Sequence, residues 1–208
     1  MPPRKPAAIT RRTANIERKT GETEISLILN LDGTGAYDVD TGNGFFDHLL
    51  SQLSRHSLMD LTVTATGDAN QTGWHHTVED VSIGVGRAIN EAIGDGRGIV
   101  RMGHALVPFD ETLAQVAVDL SGRAYAIVET AIYGEMVESL PSDLIRHSLE
   151  SIAMEGKFNL HARVLAGQNS HHKAEALFKA LARALKDAVS IDPRQGGEVP
   201  STKGTIHG

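Results

Sequence analysis

The sequence predicts an α+β fold made by internal duplication: two ββαβα-type halves, each a mostly antiparallel sheet covered on one face by two helices. Three observations carry this prediction. A His-His-x-x-Glu motif occurs twice, at His75-His76-Thr77-Val78-Glu79 and His171-His172-Lys173-Ala174-Glu175, each opening an apolar-periodic segment. The motif recurs after 96 residues (171 minus 75), and the helix-borne histidine ahead of it recurs after 99 (147 minus 48). Before each motif, alternating strand patterns and a helix follow one another in the same succession.

Residues 1–20 are polar and basic, with Pro2, Pro3 and Pro6, and read as a flexible N-terminal arm. The first half spans 21–96. Ile25, Leu27, Leu29 and Leu31 alternate with polar residues as a strand, Asp32-Gly33-Thr34-Gly35 is turn chemistry, and 36–40 reads as the returning strand of a hairpin. Phe45 to Ser57 is helical: Phe45, Phe46, Leu49, Leu50 and Leu53 face a core, and His48, Gln52 and His56 step by four along the neighbouring face. Leu61, Val63 and Ala65 alternate in a further strand, and the loop 67–73 leads into the first motif. The helix carrying that motif buries Val78, Val81, Val85, Ala88, Ile89 and Ala92, and Gly94-Asp95-Gly96 stops it.

The second half spans 97–191. Strands are predicted near 101–107, 113–120 and 123–130, then a helix over about 142–155 and a strand through Phe158, Leu160, Ala162 and Val164. Ser170 is a natural N-cap for the last helix, which carries Ala174, Leu177, Phe178, Leu181, Leu185 and Ala188 inward. The tail, 192–208, is rich in Gly and Pro; only Ser201-Thr202-Lys203-Gly204 stands out in it.

Composition narrows the function classes. The 208 residues are 40% hydrophobic and 22% charged, ordinary for a globular chain with a real core. A net charge of -6 argues against nucleic acid as a partner. No apolar run reaches the roughly 18 residues of a membrane span, and no signal-peptide pattern opens the chain. With no cysteine there is neither a disulfide nor a thiolate metal site, so any metal rests on nitrogen and oxygen donors. That usage suits a reducing compartment, and a cytoplasmic location is expected.

The histidines carry the chemistry. On a helix, His75 sits above Glu79 and His171 above Glu175, while His76 and His172 point roughly 100° away around the axis. One metal can be gripped by a His/Glu pair while the odd histidine reaches towards another. The expected ligands are His48, His75, His76, Glu79, His147, His171, His172 and Glu175. They divide as His75/Glu79 with His172 and His171/Glu175 with His76, each set completed by His48 or His147. Four protein ligands leave two open positions in an octahedral site, and sulfur-free mixed ligation with six-coordination favours manganese over iron or zinc. Asp47 and Asp80 adjoin expected ligands, and either one orients an imidazole or is a solvated helix charge. His104, His161 and His207 have no sequence partners. Arg101, Arg123, Lys179, Ser201 and Lys203 are candidate anion binders, Lys179 lying about two turns beyond His171 on the metal face. The residues alone define a dinuclear metal enzyme for an anionic substrate. A dinuclear metallohydrolase of a phosphorylated small molecule and a non-catalytic metal-binding assembly protein remain alternatives.

Six segments in order narrow the choice: Phe46-Asp47-His48-Leu49-Leu50, His75-His76-Thr77-Val78-Glu79-Asp80, Asp119-Leu120-Ser121-Gly122-Arg123, Arg146-His147, Asn169-Ser170-His171-His172-Lys173-Ala174-Glu175 and Ser201-Thr202-Lys203-Gly204. Together they resemble the imidazoleglycerol-phosphate dehydratase family of histidine biosynthesis, in its monofunctional form, from about residue 8 to the end. The resemblance implies a duplicated half with helices over four-stranded sheets. It implies two Mn(2+) ions per active site on the eight ligands above, and a 24-subunit homo-oligomer built from trimers with active sites between subunits. It implies a hydro-lyase converting D-erythro-imidazoleglycerol phosphate to imidazole-acetol phosphate through a metal-bridged imidazolate and a diazafulvene-like intermediate. The phosphate would be held by Arg101, Arg123, Lys179, Ser201, Thr202 and Lys203, with Gln52 near it, so that the tail binds substrate. Glu22 matches a substrate-contacting glutamate, and Glu22 and His56 are the expected proton shuttles.

Overall fold

The computed structural model describes residues 12–134 and 136–206. The first half runs β1 (Thr13–Lys19), β2 (Thr23–Asn30), β3 (Tyr37–Asp40), α1 (Gly44–Ser57), β4 (Asp60–Gly67), a one-turn α2 (Ala69–Thr72) and α3 (His75–Ile93). The second runs β5 (Met102–Phe109), β6 (Thr112–Asp119), β7 (Tyr125–Glu129), the short pair β8 (Met136–Val137) and β9 (Leu140–Pro141), α4 (Ser142–Glu155), β10 (Asn159–Ala166) and α5 (Ser170–Val189). The sheet orders are β1-β2-β4-β3 and β5-β6-β10-β7, one topology used twice. Duplication is therefore visible in the strand order itself.

Each main sheet has four strands, one more than the ββαβα plan, and two expectations change with it. Residues 13–19 of the expected N-terminal arm form β1, paired antiparallel with β2 from Thr13↔Asn30 to Lys19↔Glu24. Ala14 and Ile16 are the apolar residues on the inward face of β1, Arg18 follows them inward to Asp80 of α3, and Glu17 and Lys19 are exposed charges on the outer face. Residues 1–11 of the arm lie outside the described residues. The second correction concerns the hairpin. β3 does not return along β2; it lies parallel to β4, from Tyr37↔Leu61 to Asp40↔Thr64. With β1 and β4 holding both edges of β2, no edge is left for β3. α1 carries the chain back for the parallel pairing, as α4 does between β7 and β10.

The inward faces of the sheets meet the helices. α3 packs on β1 and β2, α1 on β3 and β4, α5 on β5 and β6, and α4 on β7. The halves then meet helix to helix, α3 against α4 and α1 against α5. Leu27, Phe46, Leu49, Ile89, Phe158 and Phe178 are among the large side chains lost completely from solvent in one continuous core. Two glycines permit the close approaches. A Cβ on Gly86 of α3 would lie 2.6 Å from the Ile152 carbonyl of α4, and one on Gly103 of β5 would lie 2.0 Å from the Ala184 carbonyl of α5. These helix–helix seams bring the two halves' histidines together. No helix among the described residues is long and apolar enough to cross a membrane.

Candidate metal centre

α1 is set by its cap and its apolar stripe. Asn43 Oδ1 accepts from the Phe46 amide at 3.0 Å, and Phe46, Leu49, Leu50 and Leu53 are buried. That fixes the helix rotation and turns His48, Gln52 and His56 towards α5. At α5 the cap is Asn169, not Ser170: its Oδ1 accepts from the amides of His171 (2.9 Å) and His172 (3.2 Å). Asn169 has the extended backbone of an N-cap, and Ser170 is already the first helical residue. The stripe Ala174, Leu177, Phe178, Leu181 and Leu185 is buried, which leaves His171, Glu175 and Lys179 on the seam with α1.

Two clusters result. In one, Glu175 Oε2 lies 2.9 Å from His48 Nε2 and 3.2 Å from His171 Nε2. In the other, Glu79 Oε1 lies 3.2 Å from His147 Nε2, and Glu79 Oε2 lies 3.9 Å from His75 Nε2. All donor atoms within each cluster fall within 4.8 Å of one another. With metal–ligand bonds of about 2.1 Å, neighbouring octahedral ligands stand about 3.0 Å apart. The His48, His171 and His147 separations from their carboxylates match that edge, while His75 stands further off at 3.9 Å; both clusters are compatible with a divalent ion on two imidazoles and a carboxylate.

The odd histidines join neither cluster. His76 Nδ1 faces Asp68 Oδ2 at 3.1 Å and Glu22 Oε2 at 3.8 Å, and His172 Nδ1 faces Glu111 Oε2 at 2.7 Å. With Nδ1 bonded to a carboxylate, Nε2 of each ring is the nitrogen available to a metal. The orienting role considered for Asp47 and Asp80 falls to Asp68 and Glu111 instead. Asp47 accepts from the Thr41 amide and hydroxyl, and Asp80 from Thr23 and Arg18. Asp68 lies eight residues ahead of His76 in the loop between β4 and α2, and Glu111 lies 61 residues ahead of His172 in the β5–β6 turn; neither is on the motif's own helix, so no helical spacing flags them. One clue existed: Glu111-Thr112 opens β6 as Glu22-Thr23 precedes and opens β2, a second echo of the duplication.

The surroundings are not duplicated. Lys179 Nζ bonds Glu175 Oε1 at 2.5 Å and rests 4.1 Å above the Phe109 ring. Subtracting 96 from 179 gives Ile83 in the first half. Burial raises the Glu175 pKa, but hydrogen bonds from Lys179 and His48 outweigh it and hold the carboxyl down at about 2. Gln52 lies between His48 Nε2 (3.4 Å) and His56 Nε2 (3.0 Å). Burial, then the charges of Lys179 and Arg183, lower the His56 pKa, which keeps that ring neutral near pH 7. His56 reaches the cluster through Gln52. A cleft of about 730 Å³ opens over His48, His171 and Glu175, with Phe45, Glu138 and Ser139 on its walls. Ser139, at the β8–β9 turn, is tied to the α1 cap by its hydroxyl donating to Asn43 Oδ1 at 3.0 Å.

The basic residues gather elsewhere. Arg101, Ser121, Arg123, Ser201, Thr202 and Lys203 line a cavity of about 620 Å³. Arg101 holds a left-handed backbone (φ 76°), its amide donating to the Ala188 carbonyl and its own carbonyl accepting from Leu120. Its guanidinium bonds both oxygens of Asp119 (2.7 and 3.1 Å) and the Pro200 carbonyl (2.9 Å), pinning the tail to β6. Among the described residues, Arg123 and Lys203 have no carboxylate in salt-bridge range. Lys179 and Gln52 are not among the lining residues of this cavity, and it shares none with the metal cleft. Glu22 is exposed and lines neither.

Residues 41–185 match the family model described as imidazoleglycerol-phosphate dehydratase. The chain is 57% identical over 198 residues to an imidazoleglycerol-phosphate dehydratase of Dehalococcoides mccartyi, covering 95% of this chain and 99% of that one. It is 56% identical to that of a Roseiflexus species over 195 residues, covering 94% and 98%. Among solved structures, the Staphylococcus aureus dehydratase superposes with a TM-score of 0.78 at 31% identity, covering 86% of this chain and 99% of that one. The Pyrococcus furiosus protein superposes with 0.77 at 31%, covering 91% and 99%.

Proposed function

The chain belongs to the imidazoleglycerol-phosphate dehydratase family, and from that premise we propose how its residues divide the work. It is a hydro-lyase of histidine biosynthesis that removes water from imidazoleglycerol phosphate to leave imidazole-acetol phosphate. The carrying observation is the pair of matched donor triads, His48/His171/Glu175 and His75/Glu79/His147.

We propose that each triad holds one manganese ion and that His76 and His172 complete the triads of neighbouring subunits. His76 would join a neighbour's His48/His171/Glu175, and His172 a neighbour's His75/Glu79/His147. Sulfur-free donors with octahedral spacing support manganese. The carboxylates behind both Nδ1 atoms support Nε2 ligation across a subunit contact. Two divalent cations would supply Lewis acidity and a template for the imidazole ring. Glu22 stands beside His76, so the two would be presented together, placing a carboxylate to move the proton on the carbon next to the ring. Gln52 and His56 would order the groups around His48. Arg101, Arg123, Ser201, Thr202 and Lys203 would hold the phosphate, and Lys179 would face it from the metal side across the contact.

Assembly is supported by the outer face of the second sheet, where both edge strands expose apolar side chains, Met102 and Leu106 on β5 and Tyr125 and Ile127 on β7. A homo-oligomer covering such faces, a 24-mer of trimers in a cytoplasmic setting, is the state we propose. The test strips the protein with chelator and returns manganese while product ketone and particle mass are followed. The proposal expects activity to vanish and return with two manganese ions per chain. Full activity in metal-free protein would overturn it.

A further inference from the structure

We propose that Ser121 is a phosphate-binding residue of the substrate site, its hydroxyl donating to a phosphate oxygen between Arg101 and Arg123. The inference rests on the reading of the Arg101/Arg123/Lys203 cavity as the phosphate site. Ser121 is 2% exposed, lines that cavity, and its Oγ has no hydrogen-bond partner in the structure. A buried hydroxyl left unpaired is unfavourable, and folded proteins seldom keep one without a use for it. Its backbone is held independently, the Ser121 amide donating to the Asp119 carbonyl at 2.8 Å. The same Asp119 grips Arg101 through its side chain. Two cavity residues, Arg101 and Ser121, are thus positioned by one aspartate at the end of β6.

Charge supports a phosphate as the missing acceptor. Asp119 offsets Arg101, while Arg123 and Lys203 stand without carboxylate partners among the described residues. Two uncompensated cations suit a dianionic phosphate monoester. A neutral donor beside them adds a directed hydrogen bond and no further charge. Ser121 would therefore contribute to the orientation and affinity of the phosphorylated end, leaving the chemistry at the metals untouched.

The experiment compares Ser121→Ala, Ser121→Thr and Arg123→Ala in manganese-loaded, assembled protein. It measures KM and kcat for the substrate, and the affinity for inorganic phosphate by calorimetry. The expected result is a KM about tenfold higher in Ser121→Ala, with phosphate affinity weakened in proportion, kcat within twofold, and the hydroxyl-bearing Thr variant restoring both. Unchanged KM and phosphate affinity in Ser121→Ala, with both weakened in Arg123→Ala, would overturn the role of Ser121 and leave the cavity reading standing. Unchanged values in both variants would overturn the cavity reading itself. A fall in kcat without a change in KM, or weakening that the Thr variant does not restore, would also overturn the proposal.

Discussion

His48 Nε2 and Glu175 Oε2 lie 2.9 Å apart although 127 residues separate them and they come from different halves. The mirror contact joins His147 Nε2 to Glu79 Oε1 at 3.2 Å. Each half thus lends its helix α1 or α4 histidine to the other half's His-x-x-x-Glu pair. A metal in either triad would cross-link the halves at a helix seam and stabilise the native state by mass action.

Glu175→Gln should lower bound manganese from two ions to one per chain, measured by elemental analysis after dialysis. It should also lower the thermal midpoint of the metal-free protein by several degrees, because Lys179 loses its carboxylate partner in a mostly buried setting. Retention of both ions would show that the triad is not a metal site.

Glu111→Gln tests the orientation of His172. The Glu111 carboxylate accepts hydrogen bonds from His172 Nδ1 and from the amides of Gln168 and Asn169, and these bonds, the histidine's first, hold its pKa far below the ordinary value. Manganese affinity, read by competition with a fluorescent chelator, should fall by roughly 10–100-fold at one of the two ions. An unaltered titration would mean that His172 needs no such partner.

Gly86→Ala should push α4 from α3, since its Cβ would sit 2.6 Å from the Ile152 carbonyl and 2.8 Å from the Gly156 amide. Overpacking of this kind costs about 1–3 kcal/mol. Because His147 rides on α4, the same change should weaken the His75/Glu79/His147 ion more than the other. Equal effects on the two ions would argue against that coupling.

Glu22→Gln should cut kcat by about 10²–10⁴-fold, the range for a lost general acid–base group, while manganese content stays intact. Undiminished turnover would remove Glu22 from the reaction.

Asp60 gives a pH prediction away from the site. Burial raises its pKa, but the amides of Thr34 and Ala36 and the side chains of Asn30 and Thr34 outweigh this and hold it below 3.8. A carboxyl depressed in the fold stabilises fully above its unfolded value, and that contribution is lost as pH falls through the folded pKa. Acid unfolding below about pH 4 should therefore become less pH-dependent in Asp60→Asn. An acid limb identical to the parent would place the linkage elsewhere.

Much of this was legible in the sequence because it is local. Spacing of four on a helix places His75 over Glu79 and His171 over Glu175 whatever surrounds them, and the apolar stripes of α1, α3, α4 and α5 follow the same period. The six ordered segments were enough to point to the family. β1 escapes detection because the inward face of this edge strand carries only two apolar residues, Ala14 and Ile16, before the charged Arg18, which leaves almost no apolar alternation. The hairpin was misread because turn residues say that the chain reverses, not which strand it then pairs with; the Thr34 and Ala36 amides bind Asp60 at the start of β4 instead.

Repetition in the chain was thus sufficient to establish the duplication and to point to eight candidate donors, six of which the fold gathers into two clusters. Packing alone decided that His48 serves Glu175 and His147 serves Glu79, that Asp68 and Glu111 stand behind the odd histidines, and that Ser121 is buried in the basic cavity without a partner. The His48–Glu175 and His147–Glu79 contacts join residues 127 and 68 positions apart and exist only where α1 meets α5 and α3 meets α4, at separations that no local periodicity encodes. The carboxylates behind the odd histidines come from the β4–α2 loop and the β5–β6 turn, and Ser121 is enclosed where the tail closes over β6.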